Sequence, residues 1–390
     1  MPELSLNPVY YTPEHVAFRE TVRRFTAAEI TPHAAEWDEA GGFPRDLYVR
    51  AAGIGLLGPG FPEEYGGIPG TDAFHRLIAC IEMAQCGAGG VLASLMSHTI
   101  GGPPVAALGT PEMKARVLPP VLAGEKIMAL AITEPGGGSD VAALRTGARR
   151  EGDVFVVNGE KTFITSGMRA DFYTVAVRTD PEATGAKGIS LLLIERDTPG
   201  FTRTQLDKMG WWASDTAHLR FDACRVPVAN LIGPEGAGFR AIMHNFNAER
   251  FSLAAQSLGF AWACYEESLA WARERRTFGQ RLVDHQVVRH RYVEMFTRIE
   301  ATRAMLEDTA WRLDHAPAGD AATVAGVCMA KNFATRTLQF CADAAVQTLG
   351  GMGYMRGTKS ERIYREVKVN MIGGGAEEIM NDLAARQLGF

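Results

Sequence analysis

Five short stretches combine residue types that could do chemistry. The first is Thr133-Glu134-Pro135-Gly136-Gly137-Gly138-Ser139-Asp140. Its three glycines would let the backbone close on a flat or anionic ligand, and its Thr and Ser add hydroxyl donors. The same composition also makes a flexible turn. With no Lys in it and no alternation of helices with strands around it, it is neither a Walker loop nor a Rossmann fingerprint. The second stretch is Glu249-Arg250, close to Ile242, Phe246 and Phe251 on a long helical run. A carboxyl among apolar neighbours has a raised pKa and can act as a base, although most helical Glu residues face water. The third, Arg275-Arg276-Thr277-Phe278-Gly279, offers cation, hydroxyl and aromatic face together. That set suits a phosphate or an adenine, or simply a helix C-terminus. Gly350-Gly351-Met352-Gly353-Tyr354 and Gly373-Gly374-Gly375 are two further places where a ligand could approach backbone.

The elements that must hold these stretches fall into three blocks. Thr12-Pro13-Glu14 opens a helix: a capping hydroxyl, Pro at the first turn, an acid facing the dipole. Phe18, Val22 and Phe25 follow on one face. Segments 46–57, 72–97 and 111–123 also read as helical. The pattern changes near Ile127. Met128–Ile132 reads as a strand, and Val154–Val157 and Glu160–Thr165 flank Asn158-Gly159, predicting a hairpin turned at that dipeptide. Strands are also predicted at Phe172–Arg178, Ile189–Glu195 and His218–Cys224. Helical periodicity returns at Gly236, with helices predicted over Phe239–Arg275, Gln286–Leu313, Asp320–Thr348 and Glu361–Leu388, a set that suits a helical bundle.

Composition narrows the class. At roughly 150 residues per domain, 390 residues make two or three domains. A chain 46% hydrophobic and 22% charged is too apolar for disorder. A net charge of −5, with no basic run, gives no field to gather nucleic acid. No apolar stretch reaches the roughly 18 residues of a membrane span, and the N-terminus reads as neither signal nor transit peptide. Six dispersed cysteines without a Cys-x-x-Cys pair point to reduced thiols and a cytoplasmic protein. The histidines show no metal-ligand spacing, so no metal is expected.

Taken in order, these motifs resemble the flavin-dependent acyl-CoA dehydrogenase family. The match runs from Pro62-Glu63-Glu64-Tyr65-Gly66-Gly67 and Gly109-Thr110-Pro111-Glu112 through the Thr133–Asp140 loop and Asn158-Gly159-Glu160-Lys161 to Phe163-Ile164-Thr165. It continues with Lys208-Met209-Gly210, Ser214, Thr216, Arg276-Thr277-Phe278-Gly279, Gly350–Tyr354 and Glu378-Ile379, covering about Thr12 to Gly389. The resemblance implies an α+β multidomain fold: an N-terminal α-helical domain (1–126), a middle β-barrel domain (127–235) and a C-terminal four-helix bundle (236–390). It also implies FAD as cofactor. Ile132, Thr133, Gly138 and Ser139 would contact the flavin and its phosphates, with Phe163 and Thr165 facing the ring. Arg275, Thr277, Phe278, Gln347, Gly351 and Glu378 would hold the rest of FAD, the adenine half lying against a neighbouring subunit. A homodimer or homotetramer follows, with an electron-transfer flavoprotein as the implied redox partner.

The implied reaction is α,β-dehydrogenation of an acyl-CoA to the trans-2-enoyl-CoA. Many relatives carry the α-proton base in a Tyr-Glu-Gly-Thr loop near the C-terminus. Here that loop reads Gly373-Gly374-Gly375-Ala376, and Gly374 occupies the usual position of the base. A smaller group, resembling isovaleryl- and long-chain-type members, places the base on the long helix before an Arg, where this chain has Glu249-Arg250. Glu249 is therefore the expected base, with Glu377 and Glu378 as second choices. Gly374 would keep a role through its backbone N–H on the thioester oxygen. Ser139, Asn247 and Arg250 match substrate or CoA contacts. A loop without a carboxylate leaves room for a branched, or a medium or long, acyl group. Trp212, where Arg or His is common, would place an indole at the pocket wall, and Ala376 replaces a Thr that bonds FAD in relatives. An oxidase, monooxygenase or reductase-like relative, or a non-catalytic scaffold binding acyl-CoA and flavin, is the alternative.

Overall fold

The computed structural model describes Leu4 and residues 7–390, the side chain of His244 excepted. The N-terminal block contains helices α1 (Pro13–Phe25), α2 (Ala34–Ala40), α3 (Asp46–Gly53), α4 (Ala73–Ala84), α5 (Gly89–Leu95), α6 (His98–Gly101), α7 (Pro103–Leu108) and α8 (Pro111–Leu122). Thr12 caps α1 as predicted, and Asp72 caps α4 through its carboxylate. The helical run expected over 72–97 is broken between α4 and α5. Gly87 takes φ +67° there, and a side chain on it would meet Lys359 at 2.8 Å. Only glycine allows that turn and that approach.

The middle block is one sheet of β1 (Met128–Ala131), β2 (Gly147–Glu151), β3 (Val154–Thr165), β4 (Phe172–Arg178), β5 (Ile189–Glu195), β6 (Phe201–Gln205), β7 (Thr216–Pro227) and β8 (Leu231–Ile232). Its order is β6-β7-β3-β2-β4-β5-β8, with β1 parallel to β4. The expected hairpin at Asn158-Gly159 does not form. β3 runs straight through the dipeptide and pairs antiparallel with β2, whose turn is at Gly152, φ +63°. Asn158-Gly159 instead makes a bulge against β7: the register shifts between Val157 and Gly159, and Ala223 N donates to Asn158 Oδ1 at 2.8 Å. A side chain at Gly159 would strike Thr146 at 2.7 Å. Positive φ therefore serves close packing here and not chain reversal.

The C-terminal block holds α9 (Gly238–Glu274), a small hairpin β9 (Arg276–Thr277) and β10 (Gln280–Arg281), α10 (Gln286–His315), α11 (Ala321–Leu349), α12 (Gly351–Tyr354), α13 (Lys359–Ile372) and α14 (Glu377–Leu388). The predicted Glu361–Leu388 helix is thus two helices. Gly374 (φ +66°) and Gly375 (φ +114°) leave helical space between them and form the loop from which the site is built. α9 packs against α4 on one side and α11 on the other, with Phe251 and Phe260 fully buried. No single helix among the described residues is long and apolar enough to cross a membrane.

Candidate active site

Glu249 and Arg250 sit one helical turn beyond Phe246 on α9, and the α13–α14 loop folds onto them. The Arg250 guanidinium lies over the Phe246 ring, 5.4 Å from its centroid. Its Nε donates to Gly374 O at 3.0 Å, and Nη1 to Asn247 Oδ1 at 3.3 Å. From α11, the Lys331 ammonium, fully buried, donates to Gly375 O at 2.7 Å. The neighbouring Asn332 amide donates to Glu377 O at 2.9 Å. Two cations thus hold consecutive carbonyls of the loop.

Glu249 stands inside this frame. As a residue it is half-buried, but its Oε2 is shielded from solvent and meets no hydrogen-bond partner among the described residues. Burial pushes its carboxyl up to about 6, with Arg250 and Lys331 pulling the other way. A side-chain carbon on Gly374 would lie 3.7 Å from Glu249 Oε1 and 2.9 Å from Leu253 Cδ1. Asn247, Glu249, Arg250 and Gly374 are therefore brought together. Glu377 is not available in the same way. Arg336 engages its carboxylate (Nε at 2.9 Å) and holds it below the usual carboxylate range. Glu378 is exposed.

A second cluster forms around the glycine-rich loop. Ile132 is buried at its base, and residues 135–140 are exposed. Glu134 braces the loop: its carboxylate accepts from Arg145 N (2.7 Å), Thr146 N (2.8 Å) and the buried Lys161 Nζ (2.8 Å). Thr162 N donates to Thr133 O at 2.9 Å, which sets the end of β3, with Phe163 and Thr165, beside the loop. Phe163 has φ +60° and is 70% exposed, and side chains at Gly136 or Gly137 would meet nothing. An uncovered ring beside an open glycine loop with Thr and Ser hydroxyls fits a flat cofactor carrying phosphates. Ile132 and Ile242 share one apolar cluster against which Phe246 packs, so this loop and the Glu249 end of α9 are mechanically joined.

Arg275, Thr277, Phe278, Gln347 and Gly351 lie on the surface of the single chain. Arg275 ends α9, while Thr277 and Phe278 belong to the β9–β10 hairpin and not to a helix end. Phe278 is 99% exposed at φ +49°. The open backbone at Gly350 and Gly351 is comparable, since side chains there would meet nothing. Trp212 packs between two cations, Arg356 (4.4 Å) and Arg365 (4.1 Å), with its Nε1 donating to Lys208 O. Its indole is thus a platform for two arginines.

Lys331 is the site residue that motif reading passes over. The signal was present: Val327, Lys331, Ala334 and Leu338 recur on one face of α11, so a charge occupies a core position. His15, Asp72 and His75 also converge, although nothing in their spacing announces it. His15 Nε2 and His75 Nδ1 lie 3.0 and 2.7 Å from Asp72 Oδ1, and both His residues complete helix caps.

Family profiles match nearly all of the chain: the acyl-CoA dehydrogenase N-terminal domain over residues 12–125, the middle domain over 129–224 and the C-terminal domain over 236–389. A solved Mycobacterium smegmatis chain described as an acyl-CoA dehydrogenase is 46% identical, covering 98% of this chain and 99% of its own, with a TM-score of 0.94. The acyl-CoA dehydrogenase from Geobacillus kaustophilus is 37% identical over 98% of this chain and 99% of its own, TM-score 0.92. The mitochondrial long-chain specific acyl-CoA dehydrogenase of Rattus norvegicus is 37% identical over 97% of this chain and 87% of its own length.

Proposed function

This chain belongs to the acyl-CoA dehydrogenase family and is an FAD-dependent enzyme of acyl-CoA dehydrogenation, and we propose that Glu249 is the base that takes the α proton. The observation that carries this reading is the solvent-shielded Oε2 of Glu249, which has no hydrogen-bond partner among the described residues, on a carboxyl whose Oε1 lies 3.7 Å from a side-chain carbon placed on Gly374. When bound, FAD supplies the acceptor for the β hydride.

The chain's residues have three tasks. Ile132, Thr133, Gly138, Ser139, Phe163 and Thr165 seat the flavin, Ser139 also facing substrate, while Arg275, Thr277, Phe278, Gln347, Gly351 and Glu378 hold its remainder. The Gly374 N–H holds the thioester oxygen as negative charge grows on it, a task that needs only a preorganised backbone donor. Glu249, raised toward neutrality by burial, then removes a proton whose acidity that hydrogen bond has increased. Asn247 and Arg250 border the CoA side of the site. Because Arg250 already donates to Gly374 O, its main contribution is to fix that loop.

The acyl group in this reading is branched, or of medium to long chain. The loop carries no carboxylate, the space beside Gly374 is bordered by the apolar Leu253, and the relatives include the long-chain enzyme above. The assembly is a homodimer or homotetramer that covers Phe278, the electron acceptor an electron-transfer flavoprotein, and the location cytoplasmic, which six unpaired cysteines favour. Anaerobic titration of the FAD-loaded enzyme with branched, straight short and long acyl-CoAs tests this. Bleaching by branched or longer chains is expected. A preference for butyryl-CoA would overturn the chain assignment, and no bleaching by any acyl-CoA would remove the activity.

A further inference from the structure

Lys331 belongs to no motif and touches no surface, yet it reaches the glycine loop of the site. It lies on α11 with 0% exposure, and its ammonium donates to Gly375 O at 2.7 Å. A buried ammonium is costly unless it is paired and hydrogen-bonded, and a hydrophobic residue of the same length would fill this core position at less expense. The chain has a charge there instead, next to the two residues on which the reaction depends.

We propose that Lys331 is a positioning residue for α-proton abstraction: it clamps the glycine loop so that Gly374 N–H keeps its direction, and its charge faces Glu249. The inference rests on the reading of Glu249 as base. The clamp is geometric. Gly373 N is tied to Val369 O at 2.7 Å, Gly374 O to Arg250, and Gly375 O to Lys331. Glycines at φ +66° and +114° have more conformational freedom than any other residue, so without these three bonds the N–H would sample several directions. Asn332 and Arg336, on the same helix, hold Glu377 just downstream, which makes α11 the template of the whole turn.

The electrostatic half follows from the same placement. The groups acting on Glu249 are Arg250 on its own helix and Lys331 on α11. Those acting on Lys331 are Arg250, Glu249, Cys328 and Glu377. Burial brings Lys331 down to about 8, so it is still cationic at neutral pH. Removing it leaves Arg250 alone to oppose the desolvation of Glu249.

The test uses FAD-loaded enzyme carrying Lys331→Met or Lys331→Arg and reads two quantities. One is the acid limb of kcat/KM against pH. The other is the affinity ratio between a 2-enoyl-CoA, which has the thioester oxygen but no abstractable α proton, and an S-alkyl-CoA thioether, which lacks the oxygen. Lys331→Met is expected to move the limb upward by on the order of one pH unit and to shrink the ratio by about tenfold. Lys331→Arg should restore both toward the parent enzyme. An unmoved limb and an unchanged ratio would overturn the proposal, since loosened packing alone weakens both ligands equally. If Lys331→Met does not yield a flavoprotein, Lys331→Gln supplies the same two readouts. Failure of the Glu249 reading shows separately, as bleaching by Glu249→Gln.

Discussion

Glu249 Oε1 and Gly374 face each other across the gap between α9 and the α13–α14 loop, with only 3.7 Å separating that oxygen from a side-chain carbon placed on the glycine. The carboxyl proposed here as the base and the glycine of the C-terminal loop are therefore neighbours in space. Carboxylates at both positions would crowd like charges in a buried site. The glycine at one is the counterpart of the acid at the other.

Gly374→Ala tests the loop half of this relationship. The added carbon would meet Leu253 Cδ1 at 2.9 Å, and alanine resists φ +66° by about 1 kcal/mol. The loop should yield and turn its N–H away. Steady-state assays should show kcat lower by roughly ten- to a hundredfold with the flavin spectrum retained. An unchanged kcat would show that the N–H has no part in holding the oxygen.

The pH dependence follows from the direction of the Glu249 shift. Burial raises its pKa to about 6, and only the deprotonated form can accept the α proton. Activity should therefore fall as pH drops through about 6, not through the ordinary Glu value near 4.3. The profile of kcat/KM, which reports the free enzyme, is the relevant measurement. A limb below pH 5 would mean that the working carboxyl is solvated.

Stability should respond to pH through Glu366, which is 3% exposed between Gly89 N (2.8 Å) and Trp211 N (3.2 Å). Burial and the nearby Asp38 push it up to about 8, against the pull of Arg362 and Arg365. A carboxyl whose folded pKa exceeds its unfolded one contributes stability in full below the unfolded value, and loses it as pH rises through the folded value. Glu366→Gln keeps an acceptor oxygen and removes the titration. Its thermal midpoint relative to the parent should be higher at pH 9 than at pH 5. Equal differences at the two pH values would contradict the assignment.

Phe278 carries the prediction about assembly. Its ring is 99% exposed on a residue at φ +49°, and in the proposed assembly a neighbouring subunit and FAD would cover it. Phe278→Ala should release FAD during gel filtration and shift the protein to a smaller species by light scattering. Full FAD retention in an unchanged oligomer would contradict it.

Much of this was legible in the sequence, and the exceptions share a cause. Thr12 and Asn158 announce themselves through local chemistry, a cap and a positive-φ dipeptide, whereas Glu249 and the Gly373–Gly375 loop stand out only once the order of motifs suggests the family. What local chemistry could not decide was how a signal would be used. Asn158-Gly159 fits a tight turn, but β7 and Thr146 close on it and make it a bulge. The helix over 361–388 has suitable periodicity on both sides of 373–376, and the carbonyls held by Arg250 and Lys331 favour the break. Lys331 itself is visible only as a charge out of place, because its partner is a backbone oxygen 44 residues away.

The most direct measurement is anaerobic mixing of FAD-loaded Glu249→Gln with an acyl-CoA that bleaches the parent enzyme. The amide keeps the shape and removes the proton acceptor, so the account predicts retained FAD, retained ligand binding and bleaching slowed by at least about a thousandfold. Bleaching at the parental rate would place the base on another residue and contradict the account.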